Sequence, residues 1–96
     1  MDLNVVESLL NQELSKDDYI KCYTYLSDEV DKHNTKNLIP LLIKLKSQVL
    51  RLELFSSRFD IIFINILIIR THLFNNHAWR ARKYVEENVE LLEDVN

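Results

Sequence analysis

The chain has 96 residues, a length typical of one domain, and it is 47% hydrophobic and 28% charged, as folded globular domains are. Its net charge of −3 disfavours a nucleic-acid-binding domain, since such domains are usually strongly basic. It contains no glycine, which excludes glycine-rich phosphate loops and disfavours the tight turns of sheets. We therefore expect a single all-α domain over residues 1–96.

Two amphipathic helices are predicted in the first third of the chain. Asp2 can cap the first helix, and Ser15 with Asp18 has the spacing of a capping box for the second. The predicted inner face of the first helix consists of Leu3, Val6, Leu10 and Leu14. That of the second consists of Tyr19, Tyr23, Leu26 and Val30, with Ile20 and Cys22 beside it.

A break at residues 33–37 precedes the most strongly patterned part of the sequence. Asn37 can cap a helix that has Pro40 at its third position, where the missing N–H costs nothing. From there apolar residues recur every seven positions in two columns, the second of which is interrupted at Gln48, beside a wholly polar column that includes Asn65. The first column is Leu38, Leu45, Leu52, Phe59, Ile66 and Leu73. Such spacing is typical of coiled-coil-like packing.

Residues 38–74 can be interpreted as one helix or as two. Ser57 and Asp60 have capping spacing and could begin a new helix near Ser56–Ser57. The heptad phase continues through this point unshifted, however, and the segment lacks Asn/Asp turn residues. We therefore predict a small antiparallel helical bundle around one long central helix, about 38–74, with Ser56–Ser57 as the place of a kink or break.

A single helix of that length would be about 55 Å long. A chain of 96 residues cannot cover it easily, so this interpretation favours a homodimer. The predicted dimer seam consists of Leu45, Leu52, Phe55, Phe59, Ile62 and Ile66. Asn65 could fix the register of such a seam, but its alignment with Arg58 and His72 favours a solvated edge position.

The pair Asn75–Asn76 predicts the last corner, because asparagine can both end and begin a helix. The final helix is then expected from about His77 to Asp94. Its predicted inner face consists of Ala81, Tyr84, Val85, Asn88, Leu91, Leu92 and Val95.

The segment 70–83 is basic, with three arginines, one lysine and no acid, whereas residues 84–96 carry five acids and no base. In a helix this order opposes the macrodipole, which favours acids near the first turn. Such a choice is expected where the charges face something else, either acids of the same protein or a partner. The candidate partner-binding residues are Arg70, Trp79, Arg80, Arg82 and Lys83, since tryptophan and arginine are typical of interface hot spots.

Metal binding and catalysis are not expected. His72 and His77 are five residues apart with no acid between them, and His33 lies at another corner, so no zinc-ligand spacing is present. Cys22 stands beside Lys21 without a histidine partner, and no pattern indicates a nucleophilic triad. We expect no enzyme activity, no metal and no cofactor.

The single cysteine, the acidic N-terminal segment and the shortness of the apolar run 61–69 predict a cytoplasmic protein without a membrane span. The function expected is that of a small protein-binding regulator, inhibitor or assembly factor. The alternative is a nucleic-acid-binding regulator that uses the basic segment 70–83, where cations and a stacking ring occur together.

Overall fold

The computed structural model describes residues 1–32, 38–51 and 57–88, with the side chains of Arg51 and of 57–60 excepted. In these ranges the chain forms five α-helices. They are α1 (Leu3–Leu10), α2 (Lys16–Asp31), α3 (Ile39–Arg51), α4 (Ser57–Phe74) and α5 (Ala78–Glu87). The predicted all-α class and the bundle are confirmed, as helix packs against helix throughout.

The first two helices begin at the predicted capping residues. The backbone N–H of Val5 donates to Asp2 Oδ1 at 2.9 Å, and that of Asp18 donates to Ser15 Oγ at 3.2 Å. Each bond satisfies one of the N–H groups that a helix start leaves without an intrahelical acceptor. At α3 the carbonyl of Leu38 accepts the first helical bond, from Leu42. Pro40 therefore lies in the first turn of α3, one position earlier than predicted from a cap at Asn37, which lies outside the described residues.

The prediction of one long central helix over residues 38–74 is wrong. Residues 38–74 contain two helices, α3 and α4, which pack against each other more extensively than any other pair. Two helices that lie side by side across a connection of a few residues run in roughly opposite directions. α4 begins at Ser57, where the alternative interpretation started a new helix. The heptad spacing did not indicate two helices. Each helix is amphipathic or apolar by itself, so an apolar pattern with a common phase is compatible with one helix or with two.

The core is formed by one buried stripe from each of the first four helices. These stripes contain Val6 and Leu10 from α1; Tyr19, Cys22, Leu26 and Val30 from α2; Leu42, Leu45 and Val49 from α3; Ile61, Ile64, Leu67 and Ile68 from α4. Leu14 and Leu38 complete the cluster from just outside the helices. The predicted inner faces of α1 and α2 are confirmed except at Ile20, which is exposed.

The predicted dimer seam is divided by this arrangement. Leu45 is fully buried inside the chain and Ile62 is buried, whereas Ile66 is exposed on α4. Leu45 therefore cannot line a surface seam, because α3 turns it towards the other helices of the same chain. Leu52, Phe55 and the side chain of Phe59 lie outside the described residues.

Candidate partner-binding surface

The corner between α4 and α5 sets the position of the basic residues. Asn76 has a positive φ of 60°, the left-handed conformation in which asparagine and glycine are favoured. The N–H of His77 donates to the carbonyl of His72 at 2.8 Å, and that of Asn76 donates to Leu73 at 3.1 Å. These two bonds form a Schellman motif, which satisfies the last carbonyls of α4. The prediction that asparagine ends this helix in place of glycine is confirmed.

A polar network attaches α5 to α3 and α4. The Tyr84 hydroxyl donates to Asn65 Oδ1, and Lys46 Nζ donates to Tyr84 Oη and to Asn88 Oδ1, both at 3.0 Å. Asn88 Nδ2 in turn donates to the carbonyl of Tyr84 at 2.8 Å. Ala81, which is buried, lies one turn before Tyr84 on the same inner face of α5. The opposite face of α5 is therefore the one directed outwards.

Burial changes the titration of both ionisable groups in this network. It raises the pKa of the Tyr84 hydroxyl to about 12 and lowers the pKa of the Lys46 ammonium. The ammonium also lies 5.2 Å from the centre of the Tyr84 ring. Tyr84 is thus a neutral hydrogen-bond donor over the whole physiological range, and the attachment of α5 does not depend on its ionisation.

Asn65 is fully buried, so the prediction of a solvated edge position is wrong. α4 directs Ile61, Ile64, Asn65 and Ile68 inwards, a helical face that does not follow the heptad columns of a continuous helix. Asn65 Oδ1 accepts the bond from Tyr84, while its Nδ2 has no hydrogen-bond partner within the described residues. Its side-chain hydrogen bond therefore links α4 to α5.

Trp79 is the centre of the candidate surface. Its side chain is 63% exposed, although a large aromatic residue is usually well covered in a folded domain. The Arg80 guanidinium lies 5.0 Å from the centre of its ring, within the range of a cation–π contact. Arg82 and Lys83 are exposed on the same helix, and an open groove is lined by Ala78, Trp79, Arg82, Lys83 and Glu86. Four of the five predicted site residues are therefore brought together on α5.

Arg70 does not join them. Its guanidinium pairs with Asp31 at the end of α2 and lies 5.5 Å from the centre of the Phe74 ring. This residue links α4 to α2 and its charge is neutralised within the chain. The sequence grouped it with the α5 cations because they are near in the chain, but the corner at 75–77 directs it elsewhere.

A second groove runs beside Trp79, between the end of α4 and α5. Its described lining consists of His72, Trp79, Arg80, Lys83, Tyr84 and Glu87. Burial lowers the pKa of His72, and the charge of Arg80 and then that of His77 lower it further. His72 is therefore neutral at pH 7. Sequence reasoning missed this residue as part of the surface, since its place beside Arg80 depends on the corner.

The charges of α5 are little compensated by the described part of the chain. Lys83 Nζ lies 3.9 Å from Glu87 Oε1, an i,i+4 pair in which both side chains are well exposed. No ion pair within residues 1–32, 38–51 and 57–88 engages Arg80 or Arg82. His77 begins α5 without a side-chain cap bond, and the first turn contains no acid. The positive end of the helix and its cations thus reinforce each other.

Other kinds of site are not evident where the structure can be described. Over the three described ranges, no three His, Cys, Asp or Glu side chains are grouped so that they could hold a metal ion. Cys22 is fully buried, and burial, followed by the charge of Asp18, raises the pKa of its thiol, which disfavours a nucleophilic thiolate. None of the five described helices combines the length and the apolarity needed to cross a membrane.

Comparison of the chain with protein-family models, with curated proteins and with solved structures found no match. Trp79, Arg80, Arg82 and Lys83 together form the α5 surface.

Proposed function

We propose that this chain is a small non-enzymatic protein that binds another protein through the α5 surface, as a regulator, inhibitor or assembly factor. The observation that carries the proposal is the exposure of Trp79 with Arg80 stacked on its ring. Tryptophan and arginine are the residues most enriched among interface hot spots. Leaving such a large apolar ring in water is unfavourable, and a partner that covers it would remove that cost.

The chemistry of the surface favours a partner with acidic and apolar side chains. Arg80, Arg82 and Lys83 can donate to carboxylates, and arginine does so with two parallel hydrogen bonds. The N-terminal half of α5 adds the positive end of the helix dipole. The adjoining groove at His72 and Tyr84 offers a partly apolar wall beside Trp79. We therefore propose as partner a protein segment in which carboxylates flank an apolar or aromatic side chain.

Nucleic acid is the second candidate, because proteins also bind single-stranded nucleic acids through exposed aromatic rings and arginines. Two features argue against it. Glu86 and Glu87 lie one turn after the cations, Glu86 in the same groove as Trp79, and they repel phosphate. The net charge of −3 opposes long-range attraction of a polyanion.

The proposal also includes a cytoplasmic location and a homodimeric state. The location is supported by the composition of the chain, whose single cysteine suits reducing surroundings. The dimer is supported by the exposed apolar residues Phe63, Ile66, Leu73 and Phe74 of α4. Neither is needed for the α5 surface to bind a partner.

A charge reversal with a matched control tests the proposal. Arg80→Glu with Lys83→Glu should abolish partner capture from a cell extract, while helicity and the melting temperature stay unchanged. Lys16→Glu with Lys21→Glu makes the same change in net charge at two exposed positions of α2, and should leave capture intact. Equal loss in both variants would show a general charge effect, and loss of fold in the first would show a structural role. Either result would overturn the proposal.

The partner class is tested directly by the fluorescence of Trp79, which is the only tryptophan in the chain. An acidic peptide that contains phenylalanine should change the emission, whereas a single-stranded oligothymidine should not. The reverse order of response would favour the nucleic-acid candidate. Loss of the peptide response in Arg80→Glu with Lys83→Glu is expected if the signal comes from the α5 surface.

A further inference from the structure

The outer face of α4 is apolar although it is exposed. Phe63, Ile66, Leu73 and Phe74 are between 37% and 51% exposed, and their spacing places them on one side of the helix, together with Arg70. The inner side of α4 is also apolar, so the helix is hydrophobic around its circumference. That pattern is typical of a helix that is covered on all sides. Among the described residues, α4 is covered on its inner side and left largely exposed on this one.

The apolar area of this face is large enough to form the centre of an interface. A fully exposed aromatic side chain presents about 150–250 Å², so the four side chains together leave on the order of 300 Å² open. That equals the largest apolar patch of a typical monomer, which is often functional. A standard interface buries about 800 Å² on each partner, of which an apolar centre of this size and a polar rim are the usual parts.

The charges of the face suit a second copy of the chain. A two-fold interface brings the same patch of both copies together, so the patch must be complementary to itself. The charge of Arg70 is already paired with Asp31, and a two-fold copy of such a pair can set each cation beside the carboxylate of the other copy. The α5 surface is different, because its two-fold copy would bring like charges together. The first surface therefore suits self-association, and the second suits a different, acidic partner.

We infer that the outer face of α4, formed by Phe63, Ile66, Leu73 and Phe74, is the interface of a homodimer. This inference rests on the proposed dimeric state and assigns it a surface that shares only Ile66 with the predicted dimer seam. α4 has 18 residues and is thus about 27 Å long, which is sufficient for two helices to pack along several turns. The α5 surface takes no part in this contact and stays open in the dimer.

Light scattering coupled to size exclusion tests the inference on the whole chain. The wild type should have twice the chain mass of 11.5 kDa. Phe63→Glu with Ile66→Glu should weaken the dimer at least about 100-fold, because charges would be buried in an apolar contact. Ile20→Glu with Ile43→Glu is the matched control, because these residues lie on α2 and α3 and are both 48% exposed. The two substitutions change the net charge by the same amount. The control should remain dimeric.

The possible outcomes distinguish the existence of a dimer from the identity of the surface that forms it. A wild type that is monomeric throughout the concentration range overturns both the dimer and the interface. A dimer that survives Phe63→Glu with Ile66→Glu, or that the control disrupts equally, overturns the interface and leaves the dimer standing. Ile66→Ala adds no charge and keeps the helix intact, so it tests the interface even if the double variant misfolds. It should still weaken the dimer about tenfold. Neither result bears on capture by the α5 surface, which the charge reversal on α5 tests separately.

Discussion

The hydroxyl of Tyr84 is the group on which the position of the candidate surface depends most. It donates to Asn65 on α4 and accepts from Lys46 on α3, so one atom connects three helices. A buried hydrogen-bonding group that loses its partner keeps its full cost of desolvation. The orientation of Trp79 follows from this contact, because α5 can present only the face that Tyr84 leaves outside.

Tyr84→Phe removes this atom and keeps the ring. The free energy of unfolding should fall by about 1–3 kcal/mol, since the fully buried Asn65 and the partly buried Lys46 would each lose this hydrogen-bond partner. Tyr25→Phe is the control, because Tyr25 is a partly buried tyrosine of α2 that lies outside this network; its cost should stay below about 0.5 kcal/mol. Denaturant unfolding measures both. Equal effects would show that the network does not hold α5.

Asn76 has a similar role for the corner through its backbone. In the left-handed conformation a residue with a Cβ atom is disfavoured by about 1–2 kcal/mol, and asparagine tolerates it better than most. Asn76→Ala should therefore lower the free energy of unfolding by about 1 kcal/mol, whereas Asn76→Gly should preserve or raise it. Asn75→Ala is the neighbouring control, and unfolding curves of the three variants make the comparison. A loss of stability in Asn76→Gly would contradict the corner described here.

At the scale of helices, the sequence predicted the starts and inner faces of α1 and α2 better than it predicted the number of helices. Asp2 and Ser15 cap α1 and α2 as expected, because a cap depends on residues three positions apart and is a local matter. Whether 38–74 forms one helix or two depends on how much of its apolar surface the other helices can cover. A local sequence pattern carries no information about that. Leu45 and Leu73 belong to one heptad column, yet the first is in the core and the second is about half exposed.

This contrast provides a test of the two-helix arrangement. Leu45→Ala should cost about 2–5 kcal/mol, the usual range for a fully buried leucine, because α1, α2 and α4 cannot close the cavity completely. Leu73→Ala should cost less than about 1 kcal/mol in dilute solution, where its exposed side chain contributes little to the monomer. Thermal and denaturant unfolding give both values. Similar costs for the two leucines would support a continuous seam and contradict the separation of α3 from α4.

For the whole molecule, the sequence predicted the class of the fold and most of the candidate surface, but not its surroundings. Trp79, Arg80, Arg82 and Lys83 share one short helix, so their proximity follows from the sequence alone. Arg70 was misplaced and His72 was missed, because the direction of the chain after Asn76 decides what lies beside α5. Lys46 reaches Tyr84 across 38 residues, and local periodicity carries no signal for a contact of that kind.

The whole molecule thus has two exposed surfaces of different chemistry. The outer face of α4 is apolar and neutral, and the α5 surface is cationic with one large ring. We propose that the first joins two copies and that the second binds an acidic partner. The second proposal requires that the α5 surface is open and positive in solution.

Quenching of the Trp79 fluorescence by iodide and by caesium tests this requirement most directly, because the chain contains one tryptophan. Iodide should quench several times more strongly than caesium, since Arg80, Arg82 and Lys83 attract an anion to the exposed ring and repel a cation. Arg80→Glu with Lys83→Glu should reverse that order. If neither ion quenches, Trp79 is covered, and if both quench equally, the surface is not cationic; either result would contradict the account.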